Sequence, residues 1–199
     1  MAKKIYLASR SPRRRELLIQ IGVAFDLLLL RENQPRGADI DETPHPGETA
    51  DEYVRRVCTE KAAIAWNRMT QRGFPLMPVL TADTTVCLGD EILGKPADAA
   101  DAAATLSRLS GKDHRVLTSV AIVFGDRLEL AVSESLVRFC ELSDERIRRY
   151  VESGEPMGKA GAYAIQGQAA AFISLLHGSY SGVMGLPLYE TSQLLLQFD

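Results

Sequence analysis

Residues 79–88, with the sequence VLTADTTVCL, are the stretch that decides the fold. Apolar and β-branched residues fill it, which is typical of a buried strand, and a Gly-Asp turn follows at residues 89–90. Asp83 interrupts the run, and a buried carboxylate requires a cation or hydrogen-bond donors. Asp83 is therefore a candidate functional residue. The alternative is an aspartate near a strand end that bonds only backbone groups.

The side-chain alternation of a strand sorts the polar residues of this stretch. It predicts Thr81, Asp83 and Thr85 on one face and Thr84 on the other, unless a bulge intervenes.

Further strands and helices are predicted on both sides of this stretch along the chain. Strands are expected at residues 5–8, 25–30 and 170–176, and the arms of a β-hairpin near 115–124 and 128–139. Helices are expected at residues 13–21, 49–72, 98–109, 143–153 and 186–198. This alternation indicates an α/β fold with a mixed sheet. A chain of 199 residues, 46% of them hydrophobic, is expected to form a single domain spanning residues 1–199.

Composition limits the class of protein. The formal charge of −3 gives no overall attraction to nucleic acid polymers, so an anion must be held by a local cluster of cations. The three cysteines are far apart and form no CxxC pair, which favours free thiols in a reducing compartment. No run of about 18 apolar residues and no signal-peptide pattern occurs. We therefore expect a cytoplasmic protein with no membrane partner.

The loop Ser9-Arg10-Ser11-Pro12 joins the first predicted strand to a helix that continues with three arginines at residues 13–15. Backbone N–H groups at a helix start favour a bound anion. Three arginines there, where the helix dipole disfavours cations, strengthen that interpretation. In the alternative, Ser11 only caps the helix and the arginines are solvated.

Two other charged features are candidates. Lys61 lies on or beside the apolar stripe of the helix at residues 49–72, so its ammonium group needs an anionic partner or, alternatively, a route to water. In the long loop at residues 31–47, Asp39, Asp41 and Glu42 are oxygen ligands suited to magnesium or manganese, although acidic loops are commonly only solvated.

Other kinds of site lack support in the sequence. The three histidines show no paired metal-ligand spacing, and no serine lies in a nucleophile-elbow motif, so a zinc site and a serine hydrolase are discounted. The segment at residues 158–167, GKAGAYAIQG, has glycines that permit close approach to a ligand, but such a segment is equally often only a turn.

The sequence resembles the Maf family, and the match extends from the first strand to the last helix. The matching motifs are SRSPRRRELL at residues 9–18, ADT at 82–84, GKP at 94–96, GKAGAYAIQG at 158–167, GSY at 178–180 and GLPL at 185–188. The resemblance implies an elongated mixed β-sheet flanked by helices, with two lobes around a cleft, similar to inosine triphosphatases. It also implies hydrolysis of a nucleoside triphosphate to a monophosphate and pyrophosphate.

The resemblance implies roles for individual residues. Asp83 corresponds to the general base, while Glu42, Lys61 and Lys95 correspond to polar positions linked to metal and phosphate handling. Asp83 and Glu42 would hold a divalent cation, Mg²⁺ or Mn²⁺. Phosphate oxygens or the nucleotide would be held by the remaining positions, Ser9, Ser11, Arg13 and Arg14.

Three residues point to a substrate subgroup by resemblance. Arg13, Thr84 and Gln166 are similar to the set in the dTTP/UTP subgroup, whereas the 7-methyl-GTP subgroup carries other residues there. The Gln166 amide can accept from N3–H of uracil or thymine and donate to a ring carbonyl. The alternatives are a pyrophosphatase for 7-methyl-GTP and a nucleotide-binding regulator of septum formation and cell division. A homodimer is also consistent with the resemblance.

Overall fold

The structure is a computed structural model that describes residues 4–30 and 40–198. Within these residues one mixed sheet is formed by seven strands, β1 (Ile5–Leu7), β2 (Phe25–Leu27), β3 (Val79–Leu88), β4 (Glu91–Leu93), β5 (Asp113–Phe124), β6 (Arg127–Phe139) and β7 (Ile173–His177). Their order is β2-β1-β3-β5-β6-β7, with β4 paired to β3. β1 runs parallel to β2 and β3, and the other pairs are antiparallel. The predicted α/β fold with a mixed sheet is confirmed.

The helices of the described residues are α1 (Pro12–Gln20), α2 (Ala50–Gln71), α3 (Ala99–Leu109), α4 (Asp144–Glu152), α5 (Tyr180–Met184) and α6 (Leu188–Leu196). A capping box begins α2, because Thr49 Oγ1 accepts from the Glu52 N–H and Glu52 accepts from the Thr49 N–H. None of these helices is long and apolar enough to cross a membrane.

The long helix α2 lies on the sheet through its predicted apolar stripe. Cys58, Ala62, Ala65 and Met69 are buried in one cluster with residues of β3 and β5. Burial of such side chains is the main stabilising term, at about 1.5 to 3 kcal/mol for each large apolar residue. This packing fixes the position of α2 relative to β3.

One edge of β3 is open in its middle. β5 pairs with β3 along residues 79–87, whereas on the other edge β1 pairs only with Val79 and Leu80. On that same edge β4 pairs with residues 86–88. Within the described residues, positions 81–85 therefore have no strand neighbour there. The chain leaves the sheet after Ala8, whose N–H donates to the Leu80 carbonyl at 2.9 Å, and enters α1 at Pro12.

Some elements differ from the prediction. The strand expected at residues 170–176 begins only at Ile173, because residues 168–172 form a 3₁₀ helix. The first two N–H groups of this 3₁₀ helix, those of Gln168 and Ala169, donate to the carboxylate of Glu155. No local sequence pattern reveals this contact, because Glu155 is distant in the chain. β4 and α5 are short and were not predicted. Asp39 and residues 31–39 of the predicted long loop lie outside the described residues, and the division into two lobes stays a prediction.

Candidate active site

A cavity of about 830 Å³ lies at the open stretch of β3. Its walls come from the β1–α1 loop, α2, β3, the segments around residues 95 and 158–166, and the end of α5. The structure places all ten predicted site residues in its lining, namely Ser9, Ser11, Arg13, Arg14, Glu42, Lys61, Asp83, Thr84, Lys95 and Gln166. Their catalytic and binding roles stay predictions.

Four of these residues form a chain of ion pairs, the carboxylate–lysine cluster, made of Glu42, Lys61, Asp83 and Lys95. The Lys61 ammonium lies 2.6 Å from Asp83 Oδ1 and 2.6 Å from Glu42 Oε1. Lys95 Nζ lies 3.1 Å from Glu42 Oε2. The Lys61 and Asp83 side chains are only 14% and 10% exposed. A snorkelling Lys61 and an Asp83 that bonds only backbone groups are thus both wrong, since each side chain has the other as its partner.

The ion pairs of the carboxylate–lysine cluster shift the pKa values of its members. Burial by itself would raise the pKa of Glu42, but the charges and hydrogen bonds of Lys61 and Lys95 lower it to about 2. Burial would likewise lower the pKa of Lys61, but Asp83 and Glu42 raise it above its usual value. Glu42 and Lys61 are therefore both charged at neutral pH. The Tyr53 hydroxyl holds the Glu42 backbone in place by donating to its carbonyl at 2.9 Å.

Arg14 connects three walls of the cavity. Its guanidinium donates to the Gly185 carbonyl at 2.7 Å, to Ser9 Oγ at 3.2 Å and to Thr84 Oγ1 at 3.3 Å. Burial lowers the pKa of Arg14, while Asp83 and Glu42 oppose this effect. An arginine stays protonated in proteins. Arg14 therefore brings a positive charge to the cavity that is bonded to neutral oxygens.

The other residues of the arginine loop have separate contacts. Ser11 precedes α1, but its side chain does not cap the helix, so the alternative of a simple capping serine is wrong. Its N–H donates instead to Ser9 Oγ at 3.2 Å. Arg13 forms an exposed ion pair with Glu16 at 2.8 Å, and Arg10 donates to the Leu30 carbonyl at 3.1 Å. Ser9 and Ser11 are thus joined within the loop, and Arg10, Arg13 and Arg14 line the cavity.

Gln166 enters the cavity from an irregular segment. In this segment, residues 158–166, Gly161 has a φ of +66°. A Cβ at Gly161 would lie 2.8 Å from Val86 of β3. The Gly161 N–H donates to the Gly94 carbonyl at 3.1 Å, next to Lys95. Ala162 also has a positive φ, 58°, which is unusual for a residue with a side chain. This backbone holds the segment against β3, so that Gln166 and the carboxylate–lysine cluster share one cavity.

Two of the polar residues in the lining, Lys159 and Tyr163, were not predicted as site residues. Lys159 adds a cation to the lining. Tyr163 also lines the cavity, and its hydroxyl lies 2.9 Å from Nε2 of the buried His114. Both belong to the segment at residues 158–167, where only the glycines form a visible pattern. The Val86 contact that requires Gly161 is the physical reason for part of that pattern.

The carboxylates and cations of the cavity define what the site can do. Glu42 and Asp83 supply oxygen ligands and a proton acceptor, and the surrounding cations suit a phosphorylated ligand. Among the described residues, no group of three histidine, cysteine or acidic side chains could hold a metal ion. Of the described residues, Glu42 and Asp83 therefore offer a pair of carboxylates without a third protein ligand of these kinds.

Comparisons with known proteins show which family the chain belongs to. The family described as Maf-like protein matches residues 4–198. The dTTP/UTP pyrophosphatase of Aromatoleum aromaticum is 57% identical over 98% of this chain and 95% of the relative, and that of Ralstonia nicotianae is 58% identical over 97% and 93%. The match to the structure of the Staphylococcus aureus Ham1 protein covers 71% of this chain and 73% of the Ham1 chain, with 15% identity and a TM-score of 0.41. The chain belongs to the Maf-like protein family.

Proposed function

We propose that this protein hydrolyses dTTP and UTP to the nucleoside monophosphate and pyrophosphate. The observation that carries the proposal is the carboxylate–lysine cluster in the same cavity as Gln166. The relatives named dTTP/UTP pyrophosphatase support it, because they are 57% and 58% identical over nearly the whole chain. A cavity of about 830 Å³ is also within the usual size range of small-molecule sites.

The charge of the cavity suits a triphosphate. Of the described residues, six cationic side chains line it, namely Arg10, Arg13, Arg14, Lys61, Lys95 and Lys159. Among the described lining residues, Glu42 and Asp83 are the two with a negative charge. The chain as a whole has a formal charge of −3, so this is a local concentration of positive charge. Such a concentration binds phosphate oxygens through charge-assisted hydrogen bonds.

Asp83 is the proposed general base. Its Oδ1 accepts from Lys61, whereas no hydrogen bond to Oδ2 is found within the described parts of the chain. Oδ2 would accept a proton from a water molecule that attacks the α-phosphorus. The new bond joins the oxygen of the water molecule to the α-phosphorus. The bond between the α-phosphorus and the oxygen that bridges to the β-phosphorus breaks, and pyrophosphate leaves. Lys61 and Lys95 would offset the negative charge of the phosphates.

The proposal includes a divalent cation, Mg²⁺ or Mn²⁺, held by Asp83 and Glu42. The fit is supported by the chemistry of the donors, because Mg²⁺ is commonly bound by one or two carboxylates together with water and phosphate oxygens. One ammonium group, that of Lys61, already lies 2.6 Å from both carboxylates, so the pair attracts a cation. When bound, the metal would supply further charge neutralisation on the phosphates.

The test is pyrophosphate release from dTTP, UTP, CTP, GTP and 7-methyl-GTP, with Mg²⁺, with Mn²⁺ and with EDTA. We expect metal-dependent turnover of dTTP and UTP above the other three nucleotides. Preferred turnover of 7-methyl-GTP would replace the substrate assignment. Nucleotide binding without turnover of any nucleotide would favour the regulator.

The proposal includes a cytoplasmic location. The free thiols of Cys58, Cys87 and Cys140 support it, because disulfides are rare in a reducing compartment. The homodimer stays a prediction.

A further inference from the structure

The position of Gln166 depends on its backbone. Its side chain lines the cavity, and no hydrogen bond to its amide group is found among the described residues. Its backbone belongs to residues 164–168, which we call the Gln166 turn. This segment follows a 3₁₀ helix at residues 160–162 and ends on the first residue of the 3₁₀ helix at residues 168–172, and it has no strand partner in the described part of the chain. Whatever fixes the two ends of the turn therefore fixes the direction of the amide.

Two residues outside the cavity bind the ends of the Gln166 turn. At its start, the Ala164 N–H donates to the Tyr150 hydroxyl oxygen at 3.3 Å. At its end, the Gln168 N–H donates to Glu155 Oε2 at 3.0 Å. Tyr150 and Glu155 are joined to each other, because the Tyr150 hydroxyl donates to Glu155 Oε1 at 2.9 Å. A single tyrosine–glutamate pair thus holds both ends.

The fit between Glu155 and the turn is tight. A Cβ at Gly167 would lie 2.2 to 2.5 Å from the carboxylate atoms of Glu155, so a larger residue there would displace this carboxylate from its present position. Glu155 Oε1 also accepts from the Ala169 N–H at 3.5 Å. Gly167 has a negative φ, −106°, so space and not backbone conformation requires the glycine. The carboxylate therefore lies directly against the residue that follows Gln166.

We infer that Glu155, together with Tyr150, is a positioning residue that aims the Gln166 amide at the pyrimidine base. This inference rests on the proposed function and extends it to residues that do not line the cavity. Its physical basis is that an amide recognises the base only when its oxygen and its NH₂ group both meet their partners. A displacement of about 1 Å can reduce a rate about 100-fold.

The test compares Glu155→Ala, Glu155→Gln and Tyr150→Phe with wild type on UTP and GTP. We expect Glu155→Ala to raise KM for UTP and to lower the UTP-over-GTP ratio of kcat/KM about tenfold, with kcat within a few-fold of wild type. Glu155→Gln retains an acceptor oxygen and should restore part of the loss. The matched control is Glu152→Ala, which removes an exposed carboxylate of α4 that is paired with Arg148.

A double-mutant cycle with Gln166→Ala separates positioning from general destabilisation. If Glu155 acts through Gln166, adding Glu155→Ala to Gln166→Ala leaves the UTP-over-GTP ratio unchanged. Additive losses, or an unchanged ratio in Glu155→Ala, overturn the inference while the proposed function stands. Lack of UTP and dTTP turnover by wild type overturns the proposed function instead. If Glu155→Ala does not fold, Tyr150→Phe, which keeps the ring, carries the same cycle.

Discussion

The carboxylate–lysine cluster and the Gln166 turn line the same cavity but are built differently. Lys61 and Asp83 project from the long helix α2 and the central strand β3, and two ion pairs of 2.6 Å join them to each other and to Glu42. Gln166 projects from an irregular turn that is held by hydrogen bonds which its N–H groups donate to the Tyr150 hydroxyl and the Glu155 carboxylate. One wall is fixed by regular structure and ion pairs, and the other by long-range contacts to its backbone.

This difference separates two tasks. Handling the charge of a triphosphate is the same for every nucleotide, and it is proposed to lie with residues whose positions the sheet and α2 determine. Distinguishing one base from another is proposed to lie with a turn that has no strand partner among the described residues. Substitutions in the two walls should therefore affect different kinetic constants.

The largest effect is expected for Asp83→Asn. Asparagine keeps the shape of the side chain but does not accept the proton of the attacking water, so kcat should fall about 10²- to 10⁴-fold. Nucleotide binding, measured by calorimetry, should remain. The control is Asp113→Asn, which removes an exposed carboxylate paired with Arg138 and should leave kcat unchanged. A kcat for Asp83→Asn above a tenth of the wild-type value would exclude Asp83 as the general base.

The two walls also differ in how far the sequence predicts them. Asp83 and Lys61 were recognisable because each places a charge in an otherwise apolar pattern of known period, and the structure pairs them. Gln166 has no such signal and was reached only through the family resemblance. Glu155 was not found, because its contacts join residues 13 and 14 positions apart in the chain. The same contacts explain why a 3₁₀ helix replaces the first part of a predicted strand.

Gly161→Ala should destabilise the fold where the segment of Gln166 meets β3. A positive φ costs an alanine about 1 to 2 kcal/mol, and its Cβ would also lie 2.8 Å from Val86. We expect a loss of about 2 to 4 kcal/mol in the free energy of unfolding, measured with urea. Gly125→Ala is the matched control, because Gly125 has a φ of +62° but no atom within 4 Å of the added Cβ. Equal losses in the two variants would show that the Val86 contact is unimportant.

The free energy of unfolding should also depend on pH through His114, which contacts Tyr163 in the wall that carries Gln166. His114 is 1% exposed, and burial lowers its pKa to about 4. The unfolded chain, with a pKa near 6.5, binds more protons between pH 6.5 and pH 4. The free energy of unfolding should therefore fall by about 2 kcal/mol from pH 7 to pH 5 on account of His114. Urea unfolding of His114→Gln should lack this part of the decrease, and an unchanged slope would contradict the assignment.

Gln166→Glu should give the smallest effect and the most specific one. The carboxylate still accepts from N3–H of uracil, but it no longer donates to a ring carbonyl, and it brings a negative charge toward the triphosphate. We expect kcat/KM for UTP to fall about tenfold, the order of one lost hydrogen bond, while the positive charge of 7-methylguanine favours that nucleotide. Gln71→Glu, an exposed change of the same charge at the end of α2, is the control. If both variants keep the wild-type preference for UTP over 7-methyl-GTP, Gln166 does not recognise the base, and the distinction between the two walls would have to be drawn from other residues.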